Sequence, residues 1–371
     1  MSAQPRPLGA FRIVEVNAPD APVMTRLATA MAGKIAADLG ATVIKIEPAG
    51  GDPIRFLPPF LAPLSAHDAR GLSAHDARGE RSALFQFLNT SKRSAATDSP
   101  ALRARLVGAA DAMITDDPSL IGVGTTPRVR VLISPMADRR FPHPPLEQID
   151  ILAMSGLMDI VGEPDGPPTK LGGHQCAYTA GLAAFTGLVA ALANTGVAEI
   201  VDVSVLDVAL WTNWKTFADR LYTGRAPTRP GAVGEFQVLA CADGHAAFVY
   251  TEKDWPILVR LFADPALSGP QFATRAGRQA AAGAIHAIIA PWFAARSRAE
   301  IYAAAKAAGV PLSAVWRLSE LERDPQYIAQ KFLAEIADPV LGARHLPTLP
   351  LVWNGDRFAP IPAPALAEMH G

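Results

Sequence analysis

The fold is decided by three consecutive segments: F-R-I-V-E-V at 11–16, M-T-R-L-A-T-A-M-A-G-K-I-A-A-D-L at 24–39 and A-T-V-I-K-I-E-P at 41–48. The first and third are short apolar runs typical of buried strands, and Pro48 ends the third. The middle segment carries apolar residues at helical spacing and is followed by Gly40, a residue type that commonly ends helices. Strand, helix and strand in this order predict a right-handed βαβ unit of a parallel sheet.

The same alternation continues along the first half of the chain. We predict a helix near 100–109 and strands at 112–115 and 128–134. An Ala- and Gly-rich helix at 176–193 precedes the segment 198–211, in which a strand runs into a helix. Elements in this order indicate an α/β fold.

The pattern changes after 223–235, a segment rich in Gly, Pro and Arg that we interpret as a linker. Residues 236–250 predict a hairpin that turns at Asp243-Gly244, because this dipeptide is a strong turn signal. Further helices are predicted near 253–263, 275–295, 298–308 and 317–331. The second half therefore resembles a smaller α+β domain.

Chain length also bears on the number of domains. The chain has 371 residues, and single hydrophobic cores seldom grow beyond roughly 250–300 residues, so two domains are expected. The predicted boundaries give a large domain over 1–222, a small domain over 223–335 and a C-terminal return to the large domain over 336–371.

Composition bears on partners and location. The net charge is −1 and only 19% of the residues are charged, which gives no electrostatic footprint for nucleic acid or an acidic membrane. The first ten residues lack the apolar core of a signal peptide, and the apolar runs fall short of the ~20 residues of a membrane span. Cys176 and Cys241 make no disulfide framework. We therefore expect a cytoplasmic protein that binds neither nucleic acid nor membranes.

An octapeptide, L-S-A-H-D-A-R-G, occurs twice in tandem at 64–71 and 72–79. We interpret it as a duplication in an exposed loop. His67 and His75, each followed by an aspartate, match no recognised metal-ligand spacing. No metal is expected in this protein.

Seven segments share an order and spacing that span nearly the whole chain. They are A-A-D-L-G-A-T-V-I-K-I-E-P-A-G-G-D-P-I-R (36–55), F-L-N-T-S-K-R-S (87–94), A-M-S-G-L-M-D-I-V-G-E-P-D-G-P-P-T-K-L-G (153–172), T-A-G-L-A-A (179–184), V-D-V-S-V-L-D-V-A-L (201–210), A-C-A-D-G-H (240–245) and A-A-G-V-P (307–311). Together they resemble the class III CoA-transferase family, which includes formyl-CoA and carnitine CoA-transferases and α-methylacyl-CoA racemases.

The resemblance implies a large Rossmann-like domain with a parallel sheet, a smaller α+β domain, and an interlocked dimer. It also implies coenzyme A as the acyl carrier, with Phe87, Asn89, Lys92 and Arg93 as candidate contacts. Such a ligand needs cationic groups for its phosphates and an apolar slot for its adenine. From the residues alone, a solvated basic turn is the better interpretation of this segment.

One position departs from the family pattern. The resemblance places a catalytic aspartate at position 177, where this chain has Ala177. In the transferases that aspartate accepts the acyl group and then carries CoA, and in the racemases it moves an α-proton together with a histidine. The histidine is missing as well: Glu147 and Gln148 are the nearest candidates, with His143 upstream. Alanine can act neither as nucleophile nor as base.

Several groups close to this position remain candidates. His174 and Gln175 follow two glycines and precede a helix N-terminus, so they can bind a thioester oxygen or a carboxylate without a covalent step. The alternative for His174 is a structural, hydrogen-bonded histidine. Cys176 as an acyl acceptor needs an exposed thiolate, whereas a cysteine among small residues is more often a packing residue. We assign no nucleophilic role to Asp150 or Asp165.

Three functions are compatible with the sequence. The first is an enzyme that transfers CoA between carboxylic acids or otherwise processes an acyl-CoA, acting as a homodimer. The second is a catalytically silent subunit that pairs with an active paralogue in a heteromeric CoA-transferase. The third is a 2-methylacyl-CoA racemase or isomerase, which requires two proton-transfer groups.

Overall fold

The computed structural model describes residues 6–61, 82–122, 127–137, 145–163, 165–225, 229, 236–338 and 342–367. The tandem octapeptide, His143 and most of the predicted linker lie outside these residues. The chain divides into two compact units. The first comprises 1–162, 167–227 and 325–371, and the second comprises 163–166 and 228–324.

The first unit is built on a six-stranded parallel sheet. Its strands are β1 (Arg12–Val16), β2 (Thr42–Glu47), β3 (Arg93–Ala96), β4 (Ala112–Thr115), β5 (Val129–Ser134) and β6 (Glu199–Ser204). They lie in the order β3-β2-β1-β4-β5-β6, which is the doubly wound order of Rossmann folds. The predicted βαβ unit is confirmed, with Ile13 of β1 in register with Val43 of β2.

Seven α-helices of this unit precede residue 228, where the larger part of the second unit begins. They are α1 (Val23–Asp38), α2 (Ala83–Leu88), α3 (Pro100–Gly108), α4 (Gln148–Met154), α5 (Gln175–Ala193), α6 (Val205–Thr212) and α7 (Trp214–Thr223), counted over the described residues. The apolar runs of β1 and β5 are almost fully buried, as expected for strands covered on both faces of a parallel sheet.

Helix α5 packs closely on α1. A Cβ atom on Gly181 would lie 2.7 Å from the carbonyl oxygen of Ala28 and 2.6 Å from Cβ of Met31, so only glycine permits this approach. By length and composition α5 is also apolar enough to cross a membrane, the one such helix in the described part of the chain. Its buried face includes Ala180 and Leu188, which belong to the main hydrophobic core. These contacts identify α5 as a core helix.

A cluster of charged side chains is buried beneath α1. Glu15 accepts hydrogen bonds from Nζ of Lys45 and from Nζ of Lys92, each at 2.6 Å, and Lys45 also contacts Asp52 at 2.8 Å. All four side chains are almost completely buried. We call Glu15, Lys45, Asp52 and Lys92 the buried ion cluster. Burying so many charges is tolerable because each is paired.

The second unit contains an antiparallel sheet and five helices among its described residues. The strands are β7 (Phe236–Cys241), β8 (Gly244–Val249) and β9 (Leu312–Ala314), and the helices are α8 (Trp255–Phe262), α9 (Arg275–Ala280), α10 (Ala282–Ala294), α11 (Arg298–Ala308) and α12 (Leu318–Leu321). The predicted hairpin is confirmed, with Cys241 paired to Gly244 across the turn. Phe248, Phe262 and Phe293 pack together in its core.

Two predicted helices are each interrupted. The segment 275–295 forms α9 and α10, because Ala281 leaves helical geometry at φ −105° and ψ 26°. The segment 317–331 forms α12 and a separate helix α13 (Pro325–Ala329). Pro325 explains this break, since the residue before a proline is disfavoured in helical conformation.

The segment after α13 belongs to the first unit. It forms an antiparallel hairpin of β10 (Leu333–Asp338) and β11 (Gly342–Pro347), which the sequence did not predict. Residues 361–367 then lie beside β3. The backbone N–H of Ser91 donates to the carbonyl of Ile361 at 2.9 Å, and the N–H of Ala96 donates to the carbonyl of Ala367 at 2.8 Å. This segment covers the outer edge of the sheet.

Candidate functional site

An aromatic contact brings two separately predicted segments together. The rings of Phe87 and Tyr178 meet edge to face at 6.1 Å, and Tyr178 meets the His174 ring at 6.0 Å. Lys34 places its ammonium 4.9 Å from the Phe87 ring. The candidate CoA contact Phe87 and the candidate catalytic His174 therefore flank one side chain at the start of α5.

The N-terminus of α5 is the electrostatic centre of this region. His174 is the N-cap residue, and among the described residues its side chain makes no capping hydrogen bond. No acidic residue occupies the first turn of this described helix. The backbone N–H groups of Gln175, Cys176 and Ala177 precede the first intrahelical bond, which Tyr178 donates to His174. N–H groups without an intrahelical partner and the helix dipole favour an anion here.

Lys170 and His174 add polar groups to this N-terminus. Nζ of Lys170 donates to the carbonyls of Leu171 and Gly173 at 3.3 and 3.4 Å. Burial lowers the pKa of His174, and the nearby Lys170 lowers it further. At neutral pH the imidazole is therefore uncharged, with one donor and one acceptor nitrogen. Gln175 is exposed at the first position of the helix.

The position of the expected carboxylate is closed to solvent in this chain. Ala177 is 0% exposed and Cys176 is 5% exposed, and both belong to the main hydrophobic core. Burial raises the pKa of the Cys176 thiol, although Lys170 opposes the effect. A buried, protonated thiol is a weak nucleophile, so the structure favours the packing role for Cys176.

Gln148 reaches this N-terminus from α4, a contact that the sequence did not reveal. Its side chain is only 8% exposed, and its Nε2 donates to the carbonyl of Gly173 at 2.8 Å. Gly173 has φ +68°, a conformation that glycine adopts without strain. The one signal in the sequence was that Glu147 and Gln148 stand nearest to the position of the missing racemase histidine.

Two other carboxylates near this site in sequence have structural partners. Glu147 and Asp150 form a capping box at the start of α4, so Asp150 is a helix-capping residue. Oε1 of Glu147 also accepts a hydrogen bond from the N–H of Val23 at 3.1 Å. Asp165 falls within the short segment 163–166 that belongs to the second unit.

The remaining CoA candidates occupy different environments. Asn89 and Lys92 are buried and bonded to each other at 2.9 Å, and Lys92 belongs to the buried ion cluster. The interpretation of this segment as a solvated basic turn is therefore wrong for these two residues, because Glu15 draws the Lys92 ammonium inward. In these positions the two side chains stabilise the fold. Arg93 is exposed at the start of β3.

The crossover point of the sheet lies between the carboxyl ends of β1 and β4, where doubly wound folds bind ligands. Asp116 accepts hydrogen bonds there from Nδ2 of Asn17, the N–H of Ala18 and Oγ1 of Thr25, at 2.9, 2.8 and 3.1 Å. Nη2 of Arg26 donates to the Ala18 carbonyl at 2.5 Å. These bonds fix the loop between β1 and α1. Among the described residues, no group of three His, Cys, Asp or Glu side chains is placed to hold a metal ion.

Comparisons with known proteins give a consistent picture. A family model described as CoA-transferase family III matches residues 23–117 and 144–370. The chain is 28% identical over 322 residues to the succinyl-CoA:mesaconate CoA-transferase of Haloarcula marismortui, covering 82% of this chain and 80% of that protein. It is 27% identical to the succinyl-CoA–D-citramalate CoA-transferase of Chloroflexus aurantiacus, covering 92% and 87%. The crystal structure of a CAIB/BAIF family protein from Brucella suis has the same fold, with a TM-score of 0.77 at 24% identity, covering 98% and 97%.

Proposed function

This chain belongs to CoA-transferase family III, and on that premise we propose that it transfers CoA between carboxylic acids. The observation that carries the proposal is the family match, which extends over both compact units. The names of the two relatives both specify succinyl-CoA. Succinyl-CoA is therefore the donor to test first, and the acceptor is a carboxylic acid.

The α5 N-terminus supports this proposal chemically. Lys170 and the N–H groups at the start of α5 attract an oxygen that bears negative charge, whether of a carboxylate or of a polarised thioester. His174 supplies a neutral hydrogen-bonding group, and the Phe87 and Tyr178 rings form an apolar wall beside it. The missing element is a protein carboxylate at Ala177, which makes the site atypical.

Introducing that carboxylate tests the proposal. We expect Ala177→Asp to bind CoA as wild type does and to raise the rate of CoA transfer from succinyl-CoA by roughly a hundredfold or more, since it adds a covalent nucleophile. We also expect a lower midpoint of thermal unfolding, because a buried carboxylate costs about 1–3 kcal/mol. Calorimetric titration with CoA and acetyl-CoA measures binding, and liquid chromatography of the thioesters measures transfer.

Ala177→Asn is the matched control, since it adds the same bulk without a nucleophile. It should share the loss of stability and gain no transfer activity. If neither wild type nor Ala177→Asp binds CoA, the proposal is wrong. An equal rise in transfer rate with Asn would show that position 177 does not act through a carboxylate.

The alternative function is a silent subunit of a heteromer, and an exposed apolar surface is compatible with it. Helices α6 and α7 expose Trp211, Trp214, Phe217, Leu221 and Tyr222, with Trp211 at 75% and Tyr222 at 89% exposure. We call these five residues the α6–α7 patch. Helix α7 has a strongly apolar face but no buried residue in the single chain. Several exposed aromatic side chains on two consecutive helices are typical of a protein interface, either with a second copy or with a paralogue.

The oligomeric state distinguishes these two arrangements. We expect purified wild type to be a homodimer and Trp214→Glu to shift it toward monomer, because the new charge lies within the α6–α7 patch. Lys215→Glu introduces a glutamate at an exposed position of the same helix beside the apolar face, with a larger change in charge, and should leave the dimer intact. Native mass spectrometry measures the oligomeric state of wild type and of both variants. A wild-type monomer that dimerises only with a paralogue would favour the silent-subunit alternative.

The racemase alternative requires two proton-transfer groups, and the residues nearest the expected positions do not supply them. Ala177 has no titratable group. The Glu147 side chain accepts hydrogen bonds at the N-termini of α4 and α1. We expect no exchange of the α-proton when a 2-methylacyl-CoA is incubated with the protein in deuterium oxide. Deuterium at the α-carbon, detected by mass spectrometry, would support the racemase alternative.

A further inference from the structure

We propose that a pocket between α2 and the β10–β11 hairpin binds a short aliphatic monocarboxylate, with Arg344 holding the carboxylate. The pocket lies within the first unit and shares no residue with the N-terminus of α5. Its volume is about 200 Å³. At the ~30 Å³ that one water molecule takes in the liquid, this is space for roughly six or seven non-hydrogen atoms. The inference does not depend on the proposed function.

Most of the pocket wall is apolar. The hairpin contributes Ile336 and Leu346, and α2 contributes Ala83. Leu61 precedes α2 in the chain, and Pro362 belongs to the segment that covers the edge of the sheet. An alkyl chain placed against these side chains leaves water and thereby gains affinity. The wall therefore favours a ligand with an aliphatic tail.

Arg344 supplies the cation of the pocket. It is paired with Ile336 across the hairpin and stands two residues before Leu346, so the three side chains share one face. Of its three guanidinium nitrogens, only Nε is closed to solvent, and none of them donates to another residue in the described part of the chain. The accessible Nη1 and Nη2 match the two oxygens of a carboxylate.

Asp338 limits the ligand to one carboxylate. It lies on the same hairpin face, opposite Gly342 and diagonal to Arg344, a spacing within reach of long side chains. Asp338 and Arg344 nevertheless make no ion pair with each other in this part of the structure. Gln86 and the exposed His345 complete the lining. A second carboxylate on the ligand would meet the apolar wall or the charge of Asp338, and either contact costs affinity.

A comparison of acids tests the wall and needs no variant. We expect titrations followed by saturation-transfer NMR to give pentanoate a Kd of about 1 mM. Each methylene removed on the way to acetate should weaken binding about threefold to fourfold. Glutarate, which has as many carbons and a second carboxylate, should bind at least about tenfold more weakly than pentanoate. Equal affinities within either comparison, or no pentanoate binding at about 20 mM, overturn the inference.

Three variants locate the site. Arg344→Met removes the cation and should weaken pentanoate binding at least about tenfold. Lys331→Met is the matched control, because it removes an exposed cation of the same C-terminal region that does not line the pocket, and it should leave the affinity unchanged. Pentanoate binding that survives Arg344→Met, or that falls equally in Lys331→Met, overturns the inference. Asp338→Asn should tighten glutarate more than pentanoate, and an unchanged ratio of the two affinities would overturn the selectivity for a monocarboxylate.

Discussion

Glu15→Ala is expected to lower the free energy of unfolding of the first unit by about 3–5 kcal/mol, because it leaves buried charges without their counter-ion. Both carboxylate oxygens of Glu15 are occupied, one by Lys45 and one by Lys92. Lys45 would keep Asp52, but among the described residues Lys92 would keep only uncharged acceptors, the Asn89 side chain and the Ala30 carbonyl. Urea denaturation followed by circular dichroism measures the loss.

The same variant should also change the response to acid. Burial alone would raise the pKa of Glu15, but the ammonium groups of Lys45 and Lys92 outweigh it and lower that pKa. The unfolded chain therefore binds this proton more readily than the folded chain does, so wild-type stability declines as the pH falls below about 4.3. Glu15→Ala should lack this part of the decline.

Two controls define the role of Glu15. Asp20→Ala removes an exposed carboxylate of the same unit and should leave the unfolding midpoint unchanged. Glu15→Gln keeps the shape and removes the charge, so it should be nearly as destabilising as alanine if charge pairing dominates. A loss below about 1 kcal/mol in Glu15→Ala would contradict the assignment of Glu15 as the counter-ion of Lys92.

Gly181→Val is expected to destabilise the first unit by about 3 kcal/mol, at the upper end of the range for overpacked cores. Its Cβ would lie within 2.7 Å of the Ala28 carbonyl oxygen, a backbone atom that moves only if α1 and α5 separate. Gly181→Ala should also destabilise, although alanine is the better helix former by about 1 kcal/mol. Thermal unfolding monitored by circular dichroism measures the stability of both variants.

Gly283→Ala is the matched control for helix propensity. Gly283 lies in α10 of the second unit, and a Cβ there would meet no atom within 4 Å. It should be neutral or stabilise that unit by about 0.5–1 kcal/mol. If Gly181→Ala lowers stability and Gly283→Ala does not, then close helix packing, rather than intrinsic helix propensity, requires Gly181. A stable Gly181→Val protein would refute the contact.

Much of the first unit could be predicted because local pattern and tertiary position agree. The strand at 112–115 and the helix at 100–109 match β4 and α3 nearly to the residue. The strand is a short apolar run, and the helix is preceded by Ser99, whose side chain accepts a hydrogen bond from the N–H of Leu102 as an N-cap. The family resemblance supplied what spacing could not, which is the expectation of a catalytic carboxylate at position 177.

The rest depends on partners that lie far away in sequence. Lys92 has the composition of an exposed turn, yet it is buried by Glu15, 77 residues earlier. Strand β3 has only four residues, R-S-A-A, and lacks the apolar run that would predict a strand. Apart from its closeness to the position of the missing racemase histidine, Gln148 carries no signal in the sequence, because its contact is with the distant carbonyl of Gly173 rather than with its neighbours.

The segment that covers β3 has a consequence for biosynthesis. Ser91 and Ile361 stand side by side at that edge although 270 residues separate them. At roughly 5–20 residues per second, a ribosome needs about 15–50 s to synthesise the chain from Ser91 to Ile361. Throughout that interval the nascent sheet presents an open strand edge, the kind of surface on which chains aggregate. A chaperone that holds the emerging chain would therefore matter most in this window, before translation reaches Ala367.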